Sequence, residues 1–114
     1  MDKIGLDFGT TNSIVCRYDP KNESMNFLHF GAGKLDFFPT AIAYRENGDK
    51  RFIGAAAGQY RFSSGYDFYE NFKLSLGRNA EQKNGRKRSP KEVTEDFLRE
   101  VIRSCLKNAL DSSK

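Results

Sequence analysis

Lys3-Ile4-Gly5-Leu6-Asp7-Phe8-Gly9-Thr10-Thr11-Asn12-Ser13 lies almost at the start of the chain, and its hydropathy alternates, breaks and resumes. Ile4, Leu6 and Phe8 fall on one side of an extended segment, because successive side chains of a strand point to opposite faces. Gly9-Thr10-Thr11-Asn12 interrupts that period with turn-forming residues. Residues 13–18 then restore it, with Ile14 and Cys16 alternating against Val15 and Arg17. The reading is strand, tight turn, strand. Asp19-Pro20-Lys21-Asn22 makes a second turn, and residues 25–30 make a third strand that ends at Gly31-Ala32-Gly33. An antiparallel meander therefore opens the chain.

Working outward, Phe37-Phe38-Pro39-Thr40-Ala41-Ile42-Ala43-Tyr44 reads as one further strand with a proline near its start. Glu46-Asn47-Gly48-Asp49 is a hairpin turn into Arg51-Phe52-Ile53. From Gly54 the period changes. Ala55, Ala56, Ala57 and Tyr60 suit a short helix, while Tyr66, Phe68, Tyr69, Phe72 and Leu76 suit a second one closed by Gly77. Residues 79–88 are polar and without period. Ser89-Pro90-Lys91-Glu92 combines an N-cap serine, a proline at the first helical position and a glutamate three residues after the cap. The spacing predicts a helix over 89–110 that buries a stripe of Val93, Phe97, Leu98, Val101, Ile102, Cys105, Leu106, Ala109 and Leu110, with Glu95, Arg99, Arg103 and Lys107 opposite.

Composition bounds the function classes. A chain of 114 residues has room for one small domain or part of a larger one. With 38% hydrophobic and 30% charged residues, including 10 Phe and 5 Tyr, it reads as a globular protein with a core to bury. The longest apolar run, residues 41–44, is far short of the roughly 20 residues of a bilayer-spanning helix. Met1-Asp2-Lys3 leads straight into a strand, without a secretory apolar segment, so the expected address is cytoplasmic. Cys16 and Cys105 lack metal-ligand spacing and read as reduced core thiols, and the single histidine, His29, reads as a solvated strand-face residue. The net charge of +4 is uneven: residues 1–72 carry −1 and residues 73–114 carry +5, centred on Lys83, Arg86, Lys87, Arg88 and Lys91. That run lacks interleaved aromatics and a groove-reading helix, which argues for a solvated loop and against a nucleic-acid partner.

The turn at residues 9–12 carries the chemistry. A Gly- and Thr-rich turn between strands can aim backbone N–H groups and hydroxyls at one point, as phosphate oxygens require. Gly9 lets a ligand approach the backbone, Thr10 and Thr11 offer hydroxyls, and Asp7 stands beside the turn, where its carboxylate could hold magnesium through coordinated water. By composition alone the same four residues suit any tight hairpin.

The segment from Ile4 to Ser13 closely resembles the first phosphate motif of the Hsp70 chaperones, within the superfamily that also holds actin and the sugar kinases. Phe38-Pro39-Thr40-Ala41-Ile42-Ala43-Tyr44, Ile53-Gly54-Ala55-Ala56-Ala57, Phe72-Lys73-Leu74-Ser75-Leu76-Gly77-Arg78 and residues 89–110 resemble further segments of that family, in the same order. Phe8 and Leu74 depart from the family pattern, which usually has Leu and often Arg there. The resemblance implies an α/β protein with α+β character. Its fold would be part of a ribonuclease-H-like, actin-like ATPase: a three-stranded antiparallel meander and a long helix, from residues 1–37 and 89–114, with residues 38–88 inserted as a smaller subdomain.

Function is implied in the same way. Residues 1–114 would be the N-terminal fragment of a stress-response chaperone ATPase, whose parent couples MgATP binding and hydrolysis to the binding of unfolded peptide clients and works with co-chaperones. Gly9, Thr10, Thr11 and Asn12 would bind the phosphates of ATP or ADP. Asp7 would anchor the Mg²⁺ shell, and Lys73, otherwise an ordinary surface lysine, would reach the γ-phosphate and the attacking water. The second phosphate loop and the adenosine-binding segment of that family do not occur here, so the fragment alone is expected to bind ATP weakly and not to hydrolyse it. The strand partner that the actin-like fold gives residues 3–8 on their second edge lies beyond Lys114, so the fragment is expected to self-associate along that edge. The rival expectations are a sugar or small-molecule kinase of the same superfamily and a non-catalytic interaction module.

Overall fold

The computed structural model describes residues 3–27 and 36–112. The chain divides into two compact units, Met1–Glu70 and Asn71–Lys114. Helices and antiparallel sheets mix in an α+β manner, and no helix among the described residues is long and apolar enough to cross a membrane.

The first unit begins with the expected meander. β1 (Lys3–Phe8) pairs along its whole length with β2 (Asn12–Asp19), from Lys3 opposite Tyr18 to Phe8 opposite Ser13, and β2 pairs in turn with β3 (Ser24–Phe27). His29 and the remainder of the expected third strand lie outside the described residues. Between β2 and β3 the Asp19 carboxylate accepts hydrogen bonds from the Asn22 amide at 2.6 Å and from the Lys21 N–H at 3.0 Å. The first of these does most to hold the Asp19 carboxyl below the usual carboxylate range.

Residues 37–44 do not form one strand. β4 (Phe38–Pro39) pairs with the start of β2, while β5 (Ala41–Arg45) becomes the centre of a second antiparallel sheet. Proline tolerates the end of such a short pairing because it has no N–H to offer a longer ladder. β5 is flanked by β6 (Arg51–Ile53) and β7 (Tyr66–Glu70) in the order β6-β5-β7. Residues 66–70 were expected to be helical, since aromatic residues at 66, 68, 69, 72 and 76 satisfy helical spacing. Tertiary pairing overrides that period: Phe68 stands opposite Ala43 and Tyr69 opposite Ile42.

The small side chains of Ala41 and Ala43 make room on one face of this sheet for α1 (Ala55–Gly58), whose Ala57 is fully buried between them, with Phe52, Tyr60 and Phe68 closing the cluster. Gly54 enters α1 with φ 68° and ψ −141°, a backbone that only glycine adopts without strain, and donates its N–H to the Ala41 carbonyl at 3.1 Å. On the opposite face the Tyr44 and Tyr69 rings meet edge to face with centroids 5.8 Å apart.

The second unit begins at Asn71, which is left-handed at φ 57°, and continues through a 3₁₀ turn (Phe72–Ser75), α2 (Leu76–Asn79) and α3 (Pro90–Ser112). Phe72 is buried, its ring 5.6 Å from that of Phe97 on α3. The start of α3 is the capping box read from the sequence: Glu92 donates its backbone N–H to Ser89 Oγ at 3.2 Å, and the Ser89 N–H donates to Glu92 Oε1 at 3.4 Å. Lys91 donates to Glu81 at 3.1 Å, which is the chief reason its pKa is raised.

The buried stripe of α3 is narrower than its sequence period suggested. Val93, Phe97, Val101 and Cys105, each four residues apart, are buried, whereas Leu98 is half-buried and Ile102 and Leu106 are 58% and 59% exposed. Steps of four follow a single ridge along a helix, and the adjacent ridge through 98, 102 and 106 is left outside. The side chains of Ala109 and Leu110 lie outside the described residues. Both thiols are free, as expected, but only Cys105 is a core residue, for Cys16 is half-buried.

Candidate functional site

The hairpin between β1 and β2 brings Asp7, Gly9, Thr10, Thr11 and Asn12 onto one turn at the end of the meander. Thr11, Asn12 and Asp7 are exposed, while Gly9 and Thr10 are half-buried. Among the described residues no side-chain hydrogen bond occupies Asp7, Thr10, Thr11 or Asn12.

Gly9 has a structural reason to be glycine. A Cβ at that position would sit 2.2 Å from the backbone oxygen of Asn12, far inside any van der Waals contact. The turn thus closes tightly on itself. Its compactness alone requires Gly9, whether or not a phosphate sits above it.

The turn is also held from behind. The Thr40 N–H donates to the Thr11 carbonyl at 2.8 Å. Thr40 Oγ1 and Ser13 Oγ share a hydrogen bond of 2.6 Å, with Ser13 0% and Thr40 2% exposed. β4, immediately before Thr40, supplies the pairing that brings it there, Phe38 opposite Ser13 and Pro39 opposite Asn12. This brace was missed in the sequence. Ser13 and Thr40 are 27 positions apart, and neither residue type signals a long-range partner. A turn fixed this way presents its donors without reorganising, which is the condition under which hydrogen bonds to an anion are most effective.

Lys73 belongs to the second unit. It lies on the 3₁₀ turn beside the buried Phe72, with its side chain exposed. The anchoring of Phe72 against Phe97 fixes where the lysine leaves the surface.

Asp7 is the single carboxylate on the β1–β2 turn, and among the described residues no group of three or more His, Cys, Asp or Glu side chains could hold a metal ion. A single exposed carboxylate could hold Mg²⁺ only through water and together with oxygens of a ligand, not in an all-protein cage. Within the basic run, residues 83–87 form an exposed turn in which Asn84 and Gly85 are left-handed at φ 49° and 81° and the Arg86 N–H donates to the Lys83 carbonyl at 2.8 Å, whereas Lys91 lies in the first turn of α3.

No protein-family model matches the chain, and no curated protein matches it.

Proposed function

We propose that the chain is the N-terminal, phosphate-binding portion of a cytoplasmic, Hsp70-like chaperone ATPase with an actin-like fold, whose parent couples MgATP hydrolysis to the binding of peptide clients and co-chaperones. The braced turn at residues 9–12, with Thr11 and Asn12 exposed and the Thr11 carbonyl held from behind by the Thr40 N–H, is the observation that carries this reading.

On this proposal Thr10, Thr11 and Asn12 donate to phosphate oxygens, and the short distance between Gly9 and Asn12 keeps those donors close together. Asp7 orients water in the metal shell. Magnesium, held through water by Asp7, would neutralise part of the phosphate charge. Lys73 supplies positive charge where negative charge develops on the phosphoryl group, so its contribution falls mainly on the chemical step and not on binding.

Titration of the chain with MgATP, followed by amide chemical shifts, tests the reading. The expected result is weak, magnesium-dependent binding with shifts concentrated at residues 7–13 and no hydrolysis, since half a cleft leaves the phosphates wet. Shifts confined to 83–91 would favour an interaction module. Absence of any shift at 7–13, or turnover by the chain that is lost in Lys73→Ala, would overturn the proposal.

A further inference from the structure

Beyond α1, the same face of the second sheet brings cations and aromatic rings together. Arg45 ends β5 and donates its N–H to the Lys50 carbonyl at 3.0 Å, so the two residues oppose each other across the β5–β6 hairpin. Directly opposed residues of an antiparallel pair share a face, with Cβ atoms about 5 Å apart. Alternation from the opposed pair Ala43 and Phe52 makes that face the one α1 occupies. Tyr66 opposes Arg45 from β7. The Tyr66 ring stacks on that of Tyr60 with centroids 4.0 Å apart, and the Tyr60 ring lies 4.7 Å from that of Phe52. Arg45 and Lys50 are exposed, and among the described residues neither makes an ion pair; Lys50 rests 5.6 Å from the centre of the Phe52 ring. Arg61, by contrast, is paired with Glu70 at 2.6 Å. Beside Tyr60 stands a ring that packing does not explain. The Ser63 N–H donates to the Tyr60 carbonyl at 3.2 Å and closes a turn on which Phe62 is 94% exposed, more than any other large hydrophobic side chain among the described residues.

We propose that this face binds single-stranded nucleic acid, with bases stacking on Phe62 and against the Tyr60–Tyr66 pair and with phosphates held by Arg45 and Lys50. A single strand carries a π-face and a negative charge in every unit, which matches rings set beside unpaired cations. A duplex has its bases already stacked. An acidic peptide would use the cations and leave the rings idle. An anionic bilayer would press its plane against Asp49 as well, the exposed acid next to Lys50, whereas a strand passes beside it. Glu46 belongs to the other face: its N–H extends the β5–β7 ladder to the Gly65 carbonyl at 2.9 Å, so alternation sets its side chain opposite to that of Arg45. The basic run at 83–91 lacks such rings; here strand pairing assembles them from residues far apart in sequence. In the fold proposed above, residues 38–88 make the whole of this subdomain, so none of its strands awaits a partner beyond Lys114. The site uses no residue of the turn at 9–12 and stands whether or not that turn holds phosphate.

Fluorescence anisotropy of a labelled oligouridylate, titrated with the chain across a series of salt concentrations, tests it. Saturable binding that weakens as salt rises is expected. Phe62→Ala is expected to weaken binding about tenfold, the loss of one stacked base, with the salt dependence unchanged, and Phe62→Trp to retain it. Arg45→Gln and Lys50→Gln each remove one phosphate contact and are expected to reduce the slope of log K against log salt by about 0.7. All three positions are on the surface, and circular dichroism confirms that each variant is folded. Absence of binding at low salt, Phe62→Ala or Arg45→Gln chains that bind like the parent, or duplex RNA bound as tightly as the single strand would each overturn the proposal. So would a loss of binding in Arg86→Gln and Lys87→Gln equal to that in Arg45→Gln, which moves the contact to the basic run. Polyglutamate that competes as well as unlabelled oligouridylate, or Phe62-dependent sedimentation with phosphatidylserine vesicles, would overturn it in favour of an acidic peptide or a bilayer.

Discussion

Removing the hydroxyl pair behind the candidate turn should destabilise the protein in a non-additive way. Ser13 Oγ and Thr40 Oγ1 are 2.6 Å apart and both residues are buried. Ser13→Ala deletes one partner and leaves the other hydroxyl dry, which costs about 1–3 kcal/mol; Thr40→Val, nearly equal in volume, does the same from the other side. The double variant leaves neither group unsatisfied. Its loss should therefore fall short of the sum of the singles by about 2 kcal/mol, within the range found for residues sharing one hydrogen bond. An unfolding entropy of about 2.1 cal/mol/K per residue turns a 2 kcal/mol loss into a fall in Tm of about 8 °C for a chain that melts as one, and more if the first unit melts alone. Urea titrations and thermal melts by circular dichroism on the four proteins give the cycle directly. Strict additivity, or singles with parental stability, would refute the claim that these hydroxyls depend on one another. The Thr11 amide and its neighbours should shift in both singles, because the Thr40 N–H that holds the Thr11 carbonyl belongs to the same residue.

Ser89→Ala should cost about 1 kcal/mol by removing the acceptor for the Glu92 N–H, whereas Ser89→Asp should cost little; amide exchange in the first turn of α3 is the readout, and equal protection in the two variants would count against the cap. Cys105 is 3% exposed and burial pushes its thiol up, whereas Cys16 is half-buried, so maleimide labelling followed by mass spectrometry should modify Cys16 first. Because the folded pKa of Cys105 lies above the unfolded value of about 8.5, its contribution to stability is complete below that pH and is lost as pH rises toward the folded value. Labelling of both thiols at one rate would contradict this.

Local structure was most legible where one short segment contains its own reasons. The β1–β2 hairpin follows from strict alternation on either side of four turn residues, and the start of α3 follows from Ser89, Pro90 and Glu92. The motif residues of the turn were likewise readable in order. Elsewhere distant partners decided. Tyr66–Glu70 carries a pattern compatible with helix and becomes a strand because Ala41 and Ala43 leave room for an aromatic strand beside them. Residues 37–44 break at Thr40, whose N–H and hydroxyl both bond to the β1–β2 hairpin, at Thr11 and Ser13. The outward ridge at Ile102 and Leu106 was unreadable because periodicity gives the direction of an apolar face and not how much of it a neighbour covers.

The link between Thr11 and Thr40 also sets an order of events during synthesis. The β1–β2 hairpin needs only residues up to about 19 and can close locally, within the microseconds typical of hairpins. Its turn gains the brace only when Thr40 has emerged and the intervening loop has closed, which is a slower, entropically opposed step. The nascent chain thus passes through a stage in which the hairpin exists but its tip, residues 9–12, is still unsupported.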